Sequence, residues 1–210
     1  MAIKNIILDL GGVLINIDYH KTIKAFNALG ILNFDEMYSQ LNANTLFEDL
    51  ETGQISEEDF YLAIKKIAPI ELTNQQVQTA WNALLLDFRP KSIAYLQTLA
   101  QHYTLYLLSN TNSIHQAAFN TSFAKEFNGK HINDYFTKAY YSHQIKLRKP
   151  HKNIYEFVLA DASLNPAETL FIDDSKINIP SANKVGIVTH LLLPNETIEE
   201  ILPNLLNINK

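Results

Sequence analysis

The chain has 210 residues, 47% of them hydrophobic and 19% charged, with a formal net charge of −5. That is globular composition, too apolar for a disordered chain and long enough for one large core or a core plus a small accessory domain. The acidic balance argues against nucleic acid as a principal partner, and the absence of cysteine excludes disulfides, thiolate–zinc sites and thiol catalysis.

The first residues, MAIKNIILDLGG, lack a signal-peptide layout because the apolar run is short and Asp9 follows at once. No stretch approaches the roughly 20 apolar residues of a membrane helix. A cytoplasmic protein with no membrane partner is expected, its oligomeric state open.

Residues 3–9 predict a buried parallel strand, short, β-branched and closed by Gly11-Gly12. From Tyr19 to Phe88 no strand is predicted. Helices are expected over His20 to Leu29 and Phe34 to Leu41, then from Ser56, an N-cap followed by three acidic residues, and from Thr73 through Asn74 to Leu86. After Pro90 helix and strand alternate. Lys91 to Gln101 predicts a helix, Tyr103 to Leu108 a strand ending at Ser109, and Ser113 to Phe119 a helix. Thr137 to Tyr141 predicts a strand, Pro150 to Ala162 a helix, and Thr169 to Ile172 a strand ending at Asp173-Asp174. Ile179 to Val185 predicts a helix closed by Gly186, Ile187 to Leu193 a strand, and Thr197 to Leu205 a last helix.

The alternation predicts an α/β fold, a Rossmann-like doubly wound parallel sheet with an inserted α-helical cap. The expected division is a core of residues 1–17 and 89–210 and a cap of residues 18–88. In such sheets ligands bind beyond the carboxyl ends of the strands. Asp9, Ser109 and Asp173-Asp174 fall at such ends, and Arg148-Lys149-Pro150 reads as a further edge signal. Each alone has a simpler reading: a capping Asp, a Ser turn, a solvated Lys at a helix start. Together they point to phosphate and metal chemistry.

These residues resemble the haloacid dehalogenase superfamily, over nearly the whole chain. Ile7-Leu8-Asp9-Leu10-Gly11-Gly12-Val13-Leu14, Leu107-Leu108-Ser109-Asn110, Leu147-Arg148-Lys149-Pro150 and Phe171-Ile172-Asp173-Asp174 match its four signatures in order. The helical insert resembles the cap of its sugar-phosphate phosphatases and phosphoglucomutases. Glu51-Thr52-Gly53-Gln54-Ile55-Ser56 is similar to a recurring segment of that cap. The likeness is strongest to bacterial phosphatases of the glucose 1-phosphate type.

The resemblance implies a phosphatase acting on a small phosphorylated metabolite, with Asp9 as nucleophile and an aspartyl-phosphate intermediate. It implies Mg²⁺ held by Asp9, the backbone carbonyl of Gly11 and the Asp173-Asp174 pair, with Asp174 favoured for direct coordination and Asp173 for holding a metal-bound water, an order left open by the sequence. Ser109 and the backbone N–H of Asn110 are implied to bind a phosphoryl oxygen, and Lys149 to supply fixed positive charge.

Gly11 departs from the pattern, since most phosphatases of the superfamily carry a general-acid Asp there. Another group (Asp18 is a candidate by proximity) or a metal-bound water then takes over, or the leaving oxygen departs with little protonation, or catalysis has decayed. The second option predicts a preference for activated esters: sugar 1-phosphates, aryl phosphates or acyl phosphates. The rivals are a metal-independent dehalogenase, against which the Asp173-Asp174 pair counts, a mutase, and a non-catalytic binding or regulatory domain. The seven histidines, His20, His102, His131 and His190 among them, show no ligand spacing. Trp81 reads as core of the helical insert, and Glu48, Asp49 and Glu51 as a solvated acidic face.

Overall fold

The computed structural model describes residues 2–32, 34–38 and 45–206. Seven strands and eleven α-helices are found among them. The main sheet is parallel, in the order β5-β4-β1-β6-β7. Its strands are β1 (Asn5–Leu8), β4 (Thr104–Ser109), β5 (Lys138–Tyr141), β6 (Thr169–Asp173) and β7 (Val188–Leu191). Side chains alternate across a strand, and here both faces are covered, so both alternations are apolar. Ile6, Leu8, Leu107 and Ile172 pack on one face with Ile93, Leu96 and Phe119. Ile7, Leu108 and Phe171 pack on the other with Ile154, Val158 and Ala182. Helices α6 (Pro90–Leu99) and α7 (Ser113–Glu126) supply the first layer, and α9 (Lys152–Asp161) and α10 (Ile179–Lys184) the second.

Between β1 and β4 lie α1 (Tyr19–Ala28), α2 (Phe34–Tyr38), α3 (Thr45–Glu51), α4 (Glu57–Ile67) and α5 (Asn74–Asn82). They share their own apolar cluster, in which Phe26, Phe34, Phe47, Phe60 and Trp81 meet. Ser56 and Thr73 form capping boxes with Asp59 and Gln76, satisfying first-turn N–H groups of α4 and α5. Helix α8 (Ser142–Ile145) follows β5, and α11 (Ile198–Leu205) closes the described chain. No helix among the described residues is long and apolar enough to cross a membrane.

The structure departs from the expected elements as follows. Residues 19–88 do contain a strand: α5 stops at Asn82, and β3 (Leu85–Phe88) pairs antiparallel with β2 (Ile15–Ile17). A three-residue partner leaves almost no pattern in sequence, so the apolar spacing of Trp81, Leu84 and Leu85 imitates a continuing helix. Helix α3 is a second omission, too short at seven residues to show a period. Helix α7 runs seven residues beyond Phe119, to Glu126. Finally, Arg148-Lys149-Pro150 lies past α8, in a loop rather than at a strand edge. Residues 39–41 of the predicted second helix lie outside the described residues.

Candidate active site

Parallel register brings the predicted residues together. Leu8 stands opposite Leu107 of β4 and Ile172 of β6, so the residues that follow leave the sheet side by side. Asp9 donates its N–H to the Ile172 carbonyl at 3.0 Å, Ser109 ends β4 and Asp173 ends β6. All three are buried.

Lys149 organises the cluster. Its side chain is 1% exposed, and Nζ lies 2.8 Å from Asp9 Oδ1 and 2.7 Å from Asp173 Oδ2. The loop carrying it is clamped by Asn110, whose Oδ1 accepts the Lys149 N–H at 2.9 Å and whose Nδ2 donates to the Lys149 carbonyl at 2.8 Å. Burial works against the ammonium, but Asp173 and Asp9 outweigh it and hold the Lys149 pKa above its ordinary value.

The carboxylates differ in what is left open. Asp9 Oδ1 accepts from the Leu10 N–H at 2.7 Å as well as from Lys149. Its second oxygen has no protein partner among the described residues. Asp173 is saturated: Lys149, the Ser175 N–H at 2.8 Å and Asn178 Nδ2 at 2.9 and 3.0 Å occupy both oxygens. Asp174 is exposed and lines a cavity of about 930 Å³, with Asp9, Ser109 and Lys149. Oxygens of Asp9, Asp173 and Asp174 all lie within 4.8 Å of one another. Burial, partly offset by Lys149 and reinforced by Asp173 and Asp174, pushes the Asp9 carboxyl up to about 8. Burial and the neighbouring Asp173 raise Asp174 in the same direction.

Other candidates fall elsewhere. Asp18 caps α1, accepting the His20 N–H at 3.0 Å, and is not among the cavity residues, so proximity in sequence does not make it a proton donor to the site. Trp81 is core, 1% exposed. Glu48 and Glu51 are not a solvated face. They line the cavity beside Arg148, whose guanidinium lies 3.7 Å from Glu48 and 3.0 Å from Glu51. Burial, only partly offset by Arg148, holds the Glu51 carboxyl above its usual range. Asn178 and the side-chain role of Asn110 escaped the sequence reading. A buried amide that orients another side chain carries no spacing signal, and only the order Ser109-Asn110 pointed to it.

Residues 3–186 match the haloacid dehalogenase-like hydrolase family. The chain belongs to that family. It is 35% identical over 188 residues to a D-ribitol-5-phosphate phosphatase of Bacteroides thetaiotaomicron, covering 89% of this chain and 90% of that one. A haloacid dehalogenase family enzyme from Bacteroides thetaiotaomicron, solved in complex with magnesium and inorganic phosphate, is 35% identical and superposes with a TM-score of 0.88 over 95% of this chain and 99% of that one. A predicted hydrolase of the family from Porphyromonas gingivalis, also 35% identical, gives 0.89 over 98% of each chain. This member of the family keeps the order of all four sequence signatures around one cavity.

Proposed function

We propose that the protein is a Mg²⁺-dependent phosphatase of small phosphorylated sugars and polyols, acting through a covalent intermediate on Asp9. The convergence of Asp9, Asp173 and Asp174 within 4.8 Å, with Lys149 bridging Asp9 and Asp173, carries this reading. The ribitol phosphate named for the B. thetaiotaomicron relative supports the substrate class.

The donor set suits a hard cation. It is made of oxygens alone, and three carboxylates against one ammonium leave negative charge uncompensated. Asp9, Asp174 and the Gly11 carbonyl would hold Mg²⁺. Asp173, with both oxygens already engaged, would act indirectly while fixing Lys149. The ion would supply positive charge to the phosphoryl oxygens and keep Asp9 ionised.

The free oxygen of Asp9 attacks phosphorus as the ester P–O bond breaks, and the leaving alcohol takes a proton from cavity water. Water then attacks the phosphorus of the aspartyl-phosphate, which releases inorganic phosphate and restores Asp9. Ser109, the Asn110 N–H and Lys149 hold the nonbridging oxygens. Position 11 provides no acid, so activated esters such as sugar 1-phosphates turn over fastest. Residues 18–88 act as the cap over a core of 1–17 and 89–210, with the β2–β3 ribbon at the junction. A haloacid substrate would set a further carboxylate against this acidic cluster, which disfavours a dehalogenase.

Phosphate release from D-ribitol 5-phosphate, glucose 1-phosphate and p-nitrophenyl phosphate, with Mg²⁺ and with chelator, tests the proposal. Turnover with Mg²⁺ and its loss with chelator are expected. No release from any of the three by folded protein with Mg²⁺ would sink it.

A further inference from the structure

His115 sits on the first turn of α7, just beyond the β4 loop, and lines the same cavity as Asp9 and Lys149. The same cavity is lined by the apolar side chains of Phe47, Leu84 and Phe119. The ring is held by two contacts, and the backbone beneath it by a third. It stacks on Trp81 with centroids 4.8 Å apart and planes 15° from parallel. Its Nδ1 lies 2.8 Å from Asn82 Oδ1. Its backbone N–H donates to Asn112 Oδ1 at 3.0 Å, and the same oxygen lies 3.4 Å from Trp81 Nε1.

This arrangement sets the tautomer. An amide oxygen only accepts, so Nδ1 carries the proton and donates to Asn82. Burial pushes the His115 pKa down to about 3, which keeps the ring neutral near pH 7. Nε2 is then a bare acceptor. Among the described residues it has no protein partner, and it is not among the buried polar atoms sealed from solvent. A histidine serving packing alone would need neither a fixed tautomer nor an open nitrogen.

We propose that His115 Nε2 accepts a hydrogen bond from a substrate hydroxyl and so selects phosphorylated polyols and sugars over phosphate esters that lack hydroxyls. The inference rests on the phosphatase reading and adds a specificity determinant to it. A site built to pair with a hydroxyl discriminates strongly against molecules without one, because its polar atom is then left unpaired.

The test compares wild type, His115→Phe and His115→Gln in the full chain with Mg²⁺, on D-ribitol 5-phosphate and on p-nitrophenyl phosphate. Phe keeps the stack on Trp81 and removes the acceptor, while Gln restores an acceptor oxygen. His115→Phe is expected to raise KM for ribitol 5-phosphate roughly tenfold more than for p-nitrophenyl phosphate, with kcat changing less than KM, and Gln to recover part of the loss. Equal losses on the two substrates, or no rise in KM for the polyol ester, would overturn the assignment while leaving the phosphatase intact. Should Phe fail to fold, the Gln variant decides: a partial rise in KM for ribitol 5-phosphate without one for p-nitrophenyl phosphate supports the assignment, and an equal change on both substrates overturns it. A wild type that turns over neither substrate would remove the phosphatase reading and this one together.

Discussion

Gly12 and Asp174 occupy adjoining space: Gly12 has φ +67°, and a β-carbon there would overlap the Asp174 carboxylate. The glycine therefore serves the acid that completes the carboxylate cluster, besides permitting the turn. Gly12→Ala is expected to displace Asp174, lower kcat/KM about a hundredfold and raise the Mg²⁺ concentration needed for half-maximal activity. A Mg²⁺ titration of the variant checks this. Unchanged Mg²⁺ dependence would count against Asp174 as a ligand.

Lys149 is buried between two carboxylates, so its loss leaves both uncompensated. Lys149→Met is expected to abolish turnover and to cost about 3 kcal/mol of stability in urea unfolding without Mg²⁺. A variant as stable as wild type would show that the pairing is not what holds the floor of the site.

Arg148 ties α3 to the loop that bears Lys149, through Glu51 and Glu48. The pair is partly exposed, at 25% and 22% for Arg148 and Glu51, so its contribution is modest. A double-mutant cycle of Arg148→Met and Glu51→Gln is expected to give a coupling of about 1 kcal/mol in stability. KM should rise more than kcat falls in each single variant, because the pair forms cavity wall.

Gly11 has no positive φ, and a β-carbon there would stand 3.2 Å from Ile17 Cδ1, the far end of a flexible side chain. Gly11→Asp is therefore accommodated by a small shift of Ile17, and more easily with Ile17→Val. The variant is expected to raise turnover of ribitol 5-phosphate relative to p-nitrophenyl phosphate, because the poorer leaving group gains most from an acid. An unchanged ratio would argue that proton supply does not limit the reaction.

His115 gives stability a pH dependence of definite sign. Its pKa is about 3 in the fold against an ordinary 6.5. Above 6.5 the ring is neutral in both states and its contribution is fully present. As pH falls from 6.5 toward 3, the unfolded chain takes up a proton that the native ring refuses, and stability drops by up to about 1.4 kcal/mol per pH unit. His115→Phe should flatten urea-unfolding stability against pH between 6 and 4 by about one proton. A slope identical to wild type would contradict a buried neutral ring.

Much of this could be read from sequence because the core strands are buried on both faces and end in chemistry. The apolar runs before Asp9, Ser109 and Asp173 located three strand ends, and a parallel sheet has to bring such ends to one edge. Capping residues Ser56 and Thr73 located two helices for an equally local reason. What escaped depends on distant partners. The β2–β3 ribbon exists through pairing across some seventy residues, from Ile15 to Phe88. Glu51 faces the cavity because Arg148 meets it there, and His115 owes its open nitrogen to Asn82 and Trp81. Asp173 and Asp174 are neighbours in sequence, yet one is saturated by Lys149 and Asn178 while the other stands open.

In the proposed reaction Asp9 bonds to phosphorus. Rapid acid quenching during turnover of p-nitrophenyl phosphate with Mg²⁺, followed by peptide mass spectrometry, tests it most directly. One added phosphoryl group is expected on the peptide containing Asp9 in wild type, and neither adduct nor turnover in Asp9→Asn. Sustained turnover by Asp9→Asn, with no phosphoryl adduct in the wild type, would contradict it.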